Sequence, residues 1–104
     1  MFGFGFKSKV RTILNDNFNY PVTVFAKLTL SAICKEAKQT GANEYDAAIM
    51  FIMVQMNMLD GDSEDVIAFI KKHTNNIKSI QSLATSTDIE INELLNNIHN
   101  KHNI

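Results

Sequence analysis

Tryptophan is missing from this chain of 104 residues, which holds only one cysteine, one proline and four glycines. A single cysteine excludes a disulfide-stapled scaffold and a zinc site built from cysteines alone. The scarcity of glycine and proline excludes collagen-like and loop-dominated chains. The longest uninterrupted apolar run, from Ala47 to Val54, stops far short of the ~20 residues that span a bilayer.

The first residues do not have the pattern of a secretory signal. Basic Lys7 follows the apolar residues instead of preceding them, and no long apolar stretch comes after it. Hydrophobic residues make up 45% of the chain and charged residues 20%, which is typical of a folded domain and unlike a disordered chain. We therefore expect one cytoplasmic domain covering residues 1–104, without a membrane segment.

The net charge of −1 conceals an uneven distribution along the chain. Residues 1–38 carry six basic and two acidic side chains, whereas residues 39–70 carry six acidic side chains and no Lys or Arg. Some of these acids suit the first turns of helices, where the macrodipole favours negative charge. The others predict an acidic surface, and such asymmetry bears on the choice of partner more than on the fold.

Apolar residues recur at helical spacing through the first 40 residues. The spacing predicts a first helix from Phe6 to Phe18. A second helix is predicted to begin near Pro21, which suits a first turn, and to end at Gly41, which suits a left-handed C-cap. The β-branched stretch over residues 20–25 leaves a short extended segment open as the alternative.

A third helix is predicted from Asn43, as N-cap, to about Leu59. It is apolar on nearly every side, and a helix without a polar face is usually the buried centre of its domain. Its methionines are expected to fill this core, with an adaptable binding surface as the alternative. Met56 and Met58, on either side of polar Asn57, are expected nearer the surface.

Three shorter helices are predicted beyond Gly61. The fourth carries Lys71, Lys72 and His73 in its last turn, the fifth is centred on Ile80, and the sixth frays over residues 100–104. Period-two alternation is scarce, so strands are not indicated. The predicted fold class is all-α, a single-domain bundle of five to six short helices around the central apolar helix at about 43–59.

The alternation of phenylalanine and glycine at the start favours a short aromatic arm over residues 1–6. One interpretation has Phe4 and Phe6 tucked under the first helix as an apolar anchor. The alternative is that Phe2, Phe4 and Phe6 form a homodimer contact. Followed by Lys7 and basic neighbours, the arm also resembles an aromatic and basic nucleic-acid surface.

Motifs for enzyme or metal chemistry do not emerge. Cys34 lies on the apolar side of its predicted helix and is expected in the core. His99 and His102 are spaced for one helix face, but too few further ligands accompany them. The acidic run from Asp60 lacks the glycine and glutamate positions of a calcium loop. We therefore predict a non-enzymatic protein without a cofactor or a metal.

The apolar spacing around residues 83–94 loosely matches a DNA-binding helix-turn-helix motif, but the residues at two of its key places do not suit that motif. Its turn position holds Asp88, and the would-be recognition helix carries Glu90 and Glu93, which DNA phosphates would repel. DNA binding by this segment is therefore not expected.

The remaining hypothesis is a protein-binding module, most specifically a small bacterial immunity or antitoxin protein. An acidic surface can occupy the basic cleft of a nuclease-type toxin and associate quickly through electrostatic steering, with occlusion as the mechanism. The predicted interface supplies charge and apolar anchors from Tyr45, Asp46, Met58, Asp60, Asp62, Glu64 and Asp65. The alternative is a nucleic-acid-associated or regulatory helical protein that uses the basic N-terminal segment.

Overall fold

The first helix of the computed structural model, α1, spans Phe2–Phe18 and buries Val10, Ile13 and Leu14. The structure describes the chain except residues 1, 21, 25, 56–63, 74–77, 85–88 and 104, and except the side chains of residues 2–4, 79, 82, 84, 89 and 90. The extended aromatic arm predicted over residues 1–6 was wrong for residues 2–6, which belong to α1. Helical backbone bonds outweigh the alternating pattern there. Phe6 packs half-buried against the core, as one interpretation expected.

The second helix, α2, spans Lys27–Thr40 and begins later than predicted. Pro21, where the start was predicted, lies outside the described residues. The hydroxyl of Thr23 accepts a hydrogen bond from the backbone N–H of Ala26 at 3.3 Å, a local turn that competes with helix. No strand occurs at the described residues among 20–25. The C-cap prediction is confirmed, because Gly41 is left-handed with φ 84° and its N–H bonds the carbonyl of Ala37.

Helix α3 spans Glu44–Gln55 and begins with reciprocal capping. The Asn43 side-chain oxygen accepts from the N–H of Asp46 at 2.9 Å, and the Asp46 carboxylate accepts from the N–H of Asn43 at 3.2 Å. Every residue from 46 to 53 is buried. The predicted N-cap and the predicted burial are thus confirmed; the predicted last turn, up to Leu59, lies outside the described residues.

The remaining helices are α4 at Glu64–His73, α5 at Lys78–Ala84 and α6 at Ile89–His102. The last turn of α4 holds its three basic residues, as predicted. The predicted fraying began too early, since α6 continues to His102 and Asn103 closes it in a left-handed conformation with φ 57°. The Asn103 N–H bonds the carbonyl of His99 at 2.8 Å, which satisfies an end carbonyl.

Helix α3 is the centre of the bundle. It contacts α1, α2, α4 and α5, and α6 packs on α5. The buried apolar side chains from all six helices form one cluster, and the radius of gyration is 12.6 Å, close to the ~13 Å usual for a domain of this length. The fold is therefore an all-α bundle around the apolar third helix, as the hydrophobic pattern predicted.

Candidate functional site

An aromatic cluster joins the first turn of α3 to the last turn of α4. The Tyr45 ring stacks on the His73 ring, with centroids 4.3 Å apart and planes at 4°. Phe69 lies beside both rings, with its centroid 5.9 Å from that of Tyr45 and 4.6 Å from that of His73. Phe18, at the end of α1, packs on Phe69 at 4.9 Å. Rings from three helices thus fix the position of a tyrosine that remains partly exposed.

A lysine completes this cluster. The ammonium of Lys9 lies 5.4 Å from the centroid of the Tyr45 ring, within the range of a cation–π interaction. Lys9 itself is exposed, on the same helix that supplies Phe18. Tyr45 is therefore held by π contacts from α1 and α4, which gives a partner an ordered aromatic group at low entropic cost.

The predicted acidic residues do not all lie around Tyr45. Glu64 and Asp65 are exposed in the first turn of α4, while Tyr45 stacks on the last turn. At 1.5 Å per residue the two ends of α4 are roughly 13 Å apart along its axis. Glu64 and Asp65 therefore lie at a distance from the aromatic cluster.

Asp46 was expected at the partner surface, and this expectation was wrong. Asp46 is only 2% exposed, because its carboxylate turns inward and accepts a hydrogen bond from the backbone N–H of Asn43 at the start of α3. Such a carboxylate stabilises the fold and is closed to a partner. Met58, Asp60 and Asp62, the other predicted interface residues, lie outside the described residues.

A groove of about 410 Å³ runs between α4 and the end of α6. Acidic Glu64 and basic Lys71 and Lys101 line it together with His102, Ile67 and Ala68. The acidic end of α4 is thus bordered by basic groups.

A second group of charges meets at the contact of α1 with α2. Cys34 is buried there, and burial raises the pKa of its thiol above the ordinary value, against the lowering effect of Lys7, Lys38 and Arg11. The predicted core position of this cysteine is confirmed. A buried thiol with a raised pKa is a poor nucleophile at neutral pH.

The described residues contain no group of three or more His, Cys, Asp or Glu side chains that could hold a metal ion. Over the same part of the chain, no helix combines the length and the apolar character needed to cross a bilayer.

Comparison of the sequence with family models and curated proteins, and of the structure with solved structures, finds no match.

The sequence predicted Tyr45 as an interface residue, which stays a prediction, and it did not predict the residues that surround Tyr45. His73 was assigned only its place at the end of a helix, and Lys9 only its basic charge. The signal for their contact with Tyr45 is not local, because the three residues come from three helices and meet only through packing around α3.

Proposed function

We propose that this protein is a non-enzymatic protein-binding module, most specifically a bacterial immunity or antitoxin protein that covers the active site of a basic, nuclease-type toxin. The observation that supports the proposal is the ordered, partly exposed Tyr45 on its stack of rings. Tyrosines of this kind dominate the energetics of protein interfaces, since they bury a large area and lose little side-chain entropy.

Charge has a separate role in the proposed complex. Glu64 and Asp65 are exposed at the N-terminal end of α4, away from Tyr45. Peripheral charges of this kind mainly raise the rate of association with an oppositely charged partner and add little to the lifetime of the complex. The mechanism is occlusion: the acids attract the basic cleft, and the Tyr45 region makes the close contact.

The first experiment identifies the partner. The protein encoded by the neighbouring gene is produced in a bacterial host with and without this chain. We expect a basic protein that stops growth alone, growth restored by co-production, and a stable complex of the two purified proteins. A neighbour that neither inhibits growth nor binds the chain would count against the immunity hypothesis.

The second experiment measures the kinetics of binding to that partner, in order to separate the contribution of the Tyr45 ring from that of the acidic residues. Tyr45→Ala removes the ring and is expected to raise the dissociation rate about thirtyfold, as loss of a hot spot of ~2 kcal/mol does. Tyr45→Phe keeps the ring and its stacking, so it is expected to bind much as the unchanged protein. Equal kinetics for Tyr45→Ala and the unchanged protein would remove this residue from the interface.

Charge reversal supplies the other half of that test. Glu64→Lys with Asp65→Lys is expected to slow association about tenfold or more at low salt, with the difference shrinking as salt is added. Glu93→Lys reverses one exposed acid on α6 and controls for a change of net charge away from the end of α4. The same slowing in the control would show that net charge, and not the end of α4, governs association.

The alternative function is nucleic-acid binding through the basic N-terminal segment. Its basic residues divide between two sides of α1, because Lys9 lies over Tyr45 while Lys7 and Arg11 lie near Cys34. This division favours the protein-binding proposal over a continuous phosphate-binding stripe. Strongly salt-dependent binding to short DNA or RNA duplexes or single strands would favour the alternative.

A further inference from the structure

One side of α4 is exposed and carries acids at its start and lysines at its end. Glu64 and Asp65 lie in the first turn, and Lys71 and Lys72 lie in the last turn. Ala68, which is also exposed, lies midway between the two pairs, and the other residues between them are buried. We call these five exposed residues the α4 face. The opposite side of the helix packs on α3.

The opposite charges of the α4 face lie too far apart to pair with one another. Side chains meet along a helix when they are three or four residues apart. Glu64 and Lys71 are seven residues apart, and so are Asp65 and Lys72, which is roughly 10 Å along the axis. Within the described part of the chain, none of the four makes an ion pair or a side-chain hydrogen bond. The helix dipole accounts for the sign at each end, but it supplies no counter-charge.

A second copy of α4, turned end for end, supplies those counter-charges. When two copies lie antiparallel with Ala68 against Ala68, the first turn of each is level with the last turn of the other. Helical geometry then sets Glu64 beside Lys71 of the second copy, and Asp65 beside Lys72 of the second copy. The two-fold axis repeats both ion pairs. A small residue at the centre lets the two helices approach closely.

The groove between α4 and the end of α6 favours this occupant over a partner of one charge. Glu64, Ala68 and Lys71 of the α4 face line the groove, together with Lys101 from α6. A uniformly basic or acidic partner would meet like charge at one end of α4, and like charges in contact oppose binding. An antiparallel copy of the same helix is complementary at both ends.

We propose that the α4 face is the interface of a weak homodimer, in which two copies of α4 pack antiparallel about Ala68. One helix face buries less than the ~800 Å² per partner of a standard interface, so we expect a dissociation constant of about 0.1–1 mM. The proposal does not depend on the protein-binding function. Because the dimer covers Glu64 and Asp65, it competes with any basic partner that these acids attract.

The first test is sedimentation equilibrium of the full chain, from micromolar to millimolar concentration, at low and at high salt. We expect a monomer–dimer equilibrium whose dissociation constant rises about tenfold at high salt, because salt screens exposed charges. A chain that stays monomeric at every concentration would overturn the proposal. A dimer that is equally stable at both salt concentrations would also overturn it, since its interface would then be apolar.

Charge variants assign the dimer to α4. The all-basic form carries Glu64→Lys and Asp65→Lys, and the all-acidic form carries Lys71→Glu and Lys72→Glu. Each form alone is expected to lose at least tenfold in dimer affinity, because like charges then face each other across the two-fold axis. An equal mixture of the two forms is expected to associate more tightly than the unchanged chain. Circular dichroism verifies that each form remains helical.

The matched control is Asp16→Lys with Glu93→Lys, which changes the net charge as the all-basic form does but at exposed acids of α1 and α6. It is expected to dimerise as the unchanged chain does. Equal weakening in this control would show that net charge, and not the α4 face, governs association. Failure of the all-basic and all-acidic forms to associate when mixed would exclude α4 from the interface. Either result would overturn the proposal.

Discussion

The two flanks of α1 use positive charge in different ways. On one flank, the single cation Lys9 lies over a tyrosine ring that α3 and α4 hold in place. On the other, Lys7 and Arg11 join Lys38 around a buried thiol, and the Arg11 Nε has no acceptor among the described residues. On the second flank Lys7 donates a hydrogen bond to the Ser31 hydroxyl, and Lys38 lies near the ring of half-buried Phe6. The role of a basic residue is thus set by what it faces.

The largest effect is expected from truncating a large buried side chain of α3, the helix that contacts α1, α2 and α4. Phe51 is fully buried in α3, with the Tyr20 ring 5.6 Å away. Phe51→Ala is expected to lower the free energy of unfolding by about 3–5 kcal/mol, through lost burial and a cavity. Urea denaturation followed by circular dichroism measures it. Val54→Ala, at a position 38% exposed, is the control and should cost far less.

A smaller effect is expected at the start of α3, which positions Tyr45. Asp46→Ala leaves the N–H of Asn43 without its carboxylate acceptor, and we expect a loss of about 1–2 kcal/mol. Asp16→Ala, at an exposed acid of α1, is the matched control. If both variants have the same unfolding midpoint, the capping interaction does not stabilise the helix.

The next effect concerns only the Tyr45 flank. His73→Ala removes the stacked ring and is expected to lower the free energy of unfolding by about 0.5–1.5 kcal/mol, whereas Lys72→Ala removes a neighbouring last-turn charge without a ring contact. Tyrosine fluorescence follows the unfolding directly, because the chain has two tyrosines and no tryptophan. A larger loss in Lys72→Ala would show that helix-end charge matters more than stacking.

The smallest effect is expected from Lys9 itself. Lys9→Gln removes an exposed cation–π contact of about 0.5–1 kcal/mol and should shift the NMR signals of the Tyr45 ring protons. Lys35→Gln removes an exposed charge from α2 and should leave those signals in place. An unchanged Tyr45 spectrum in Lys9→Gln would mean that the two flanks differ less than the geometry indicates.

Local sequence patterns predicted the helices well, because apolar spacing and caps act within a few residues. The Asn43 N-cap, the Gly41 C-cap and the buried third helix are examples. Boundaries were wrong where two local signals competed. Helix α2 begins only at Lys27, after a turn in which the Thr23 hydroxyl accepts from the N–H of Ala26, and over residues 2–6 an alternating pattern gave way to helix.

The candidate site was only partly predictable. The role of Tyr45 at an interface stays a prediction, and which of the acids share a surface depends on how α3 and α4 meet. Their contact places His73 beside Tyr45 and the acids Glu64 and Asp65 at the far end, while Asp46 turns into its own helix cap. A count of charges along the sequence carries no information about these orientations.

The apolar third helix has a consequence for synthesis of the chain. Helix α3 needs cover from α1 and α2, which precede it, and from α4 and α5, which follow it. When Gln55 leaves the ribosome, the 29 residues from 56 to 84 have still to appear before α5 is complete. At ~5–20 residues per second this leaves an apolar helix partly uncovered for a few seconds. During that interval the nascent chain is a substrate for chaperones that bind exposed apolar segments.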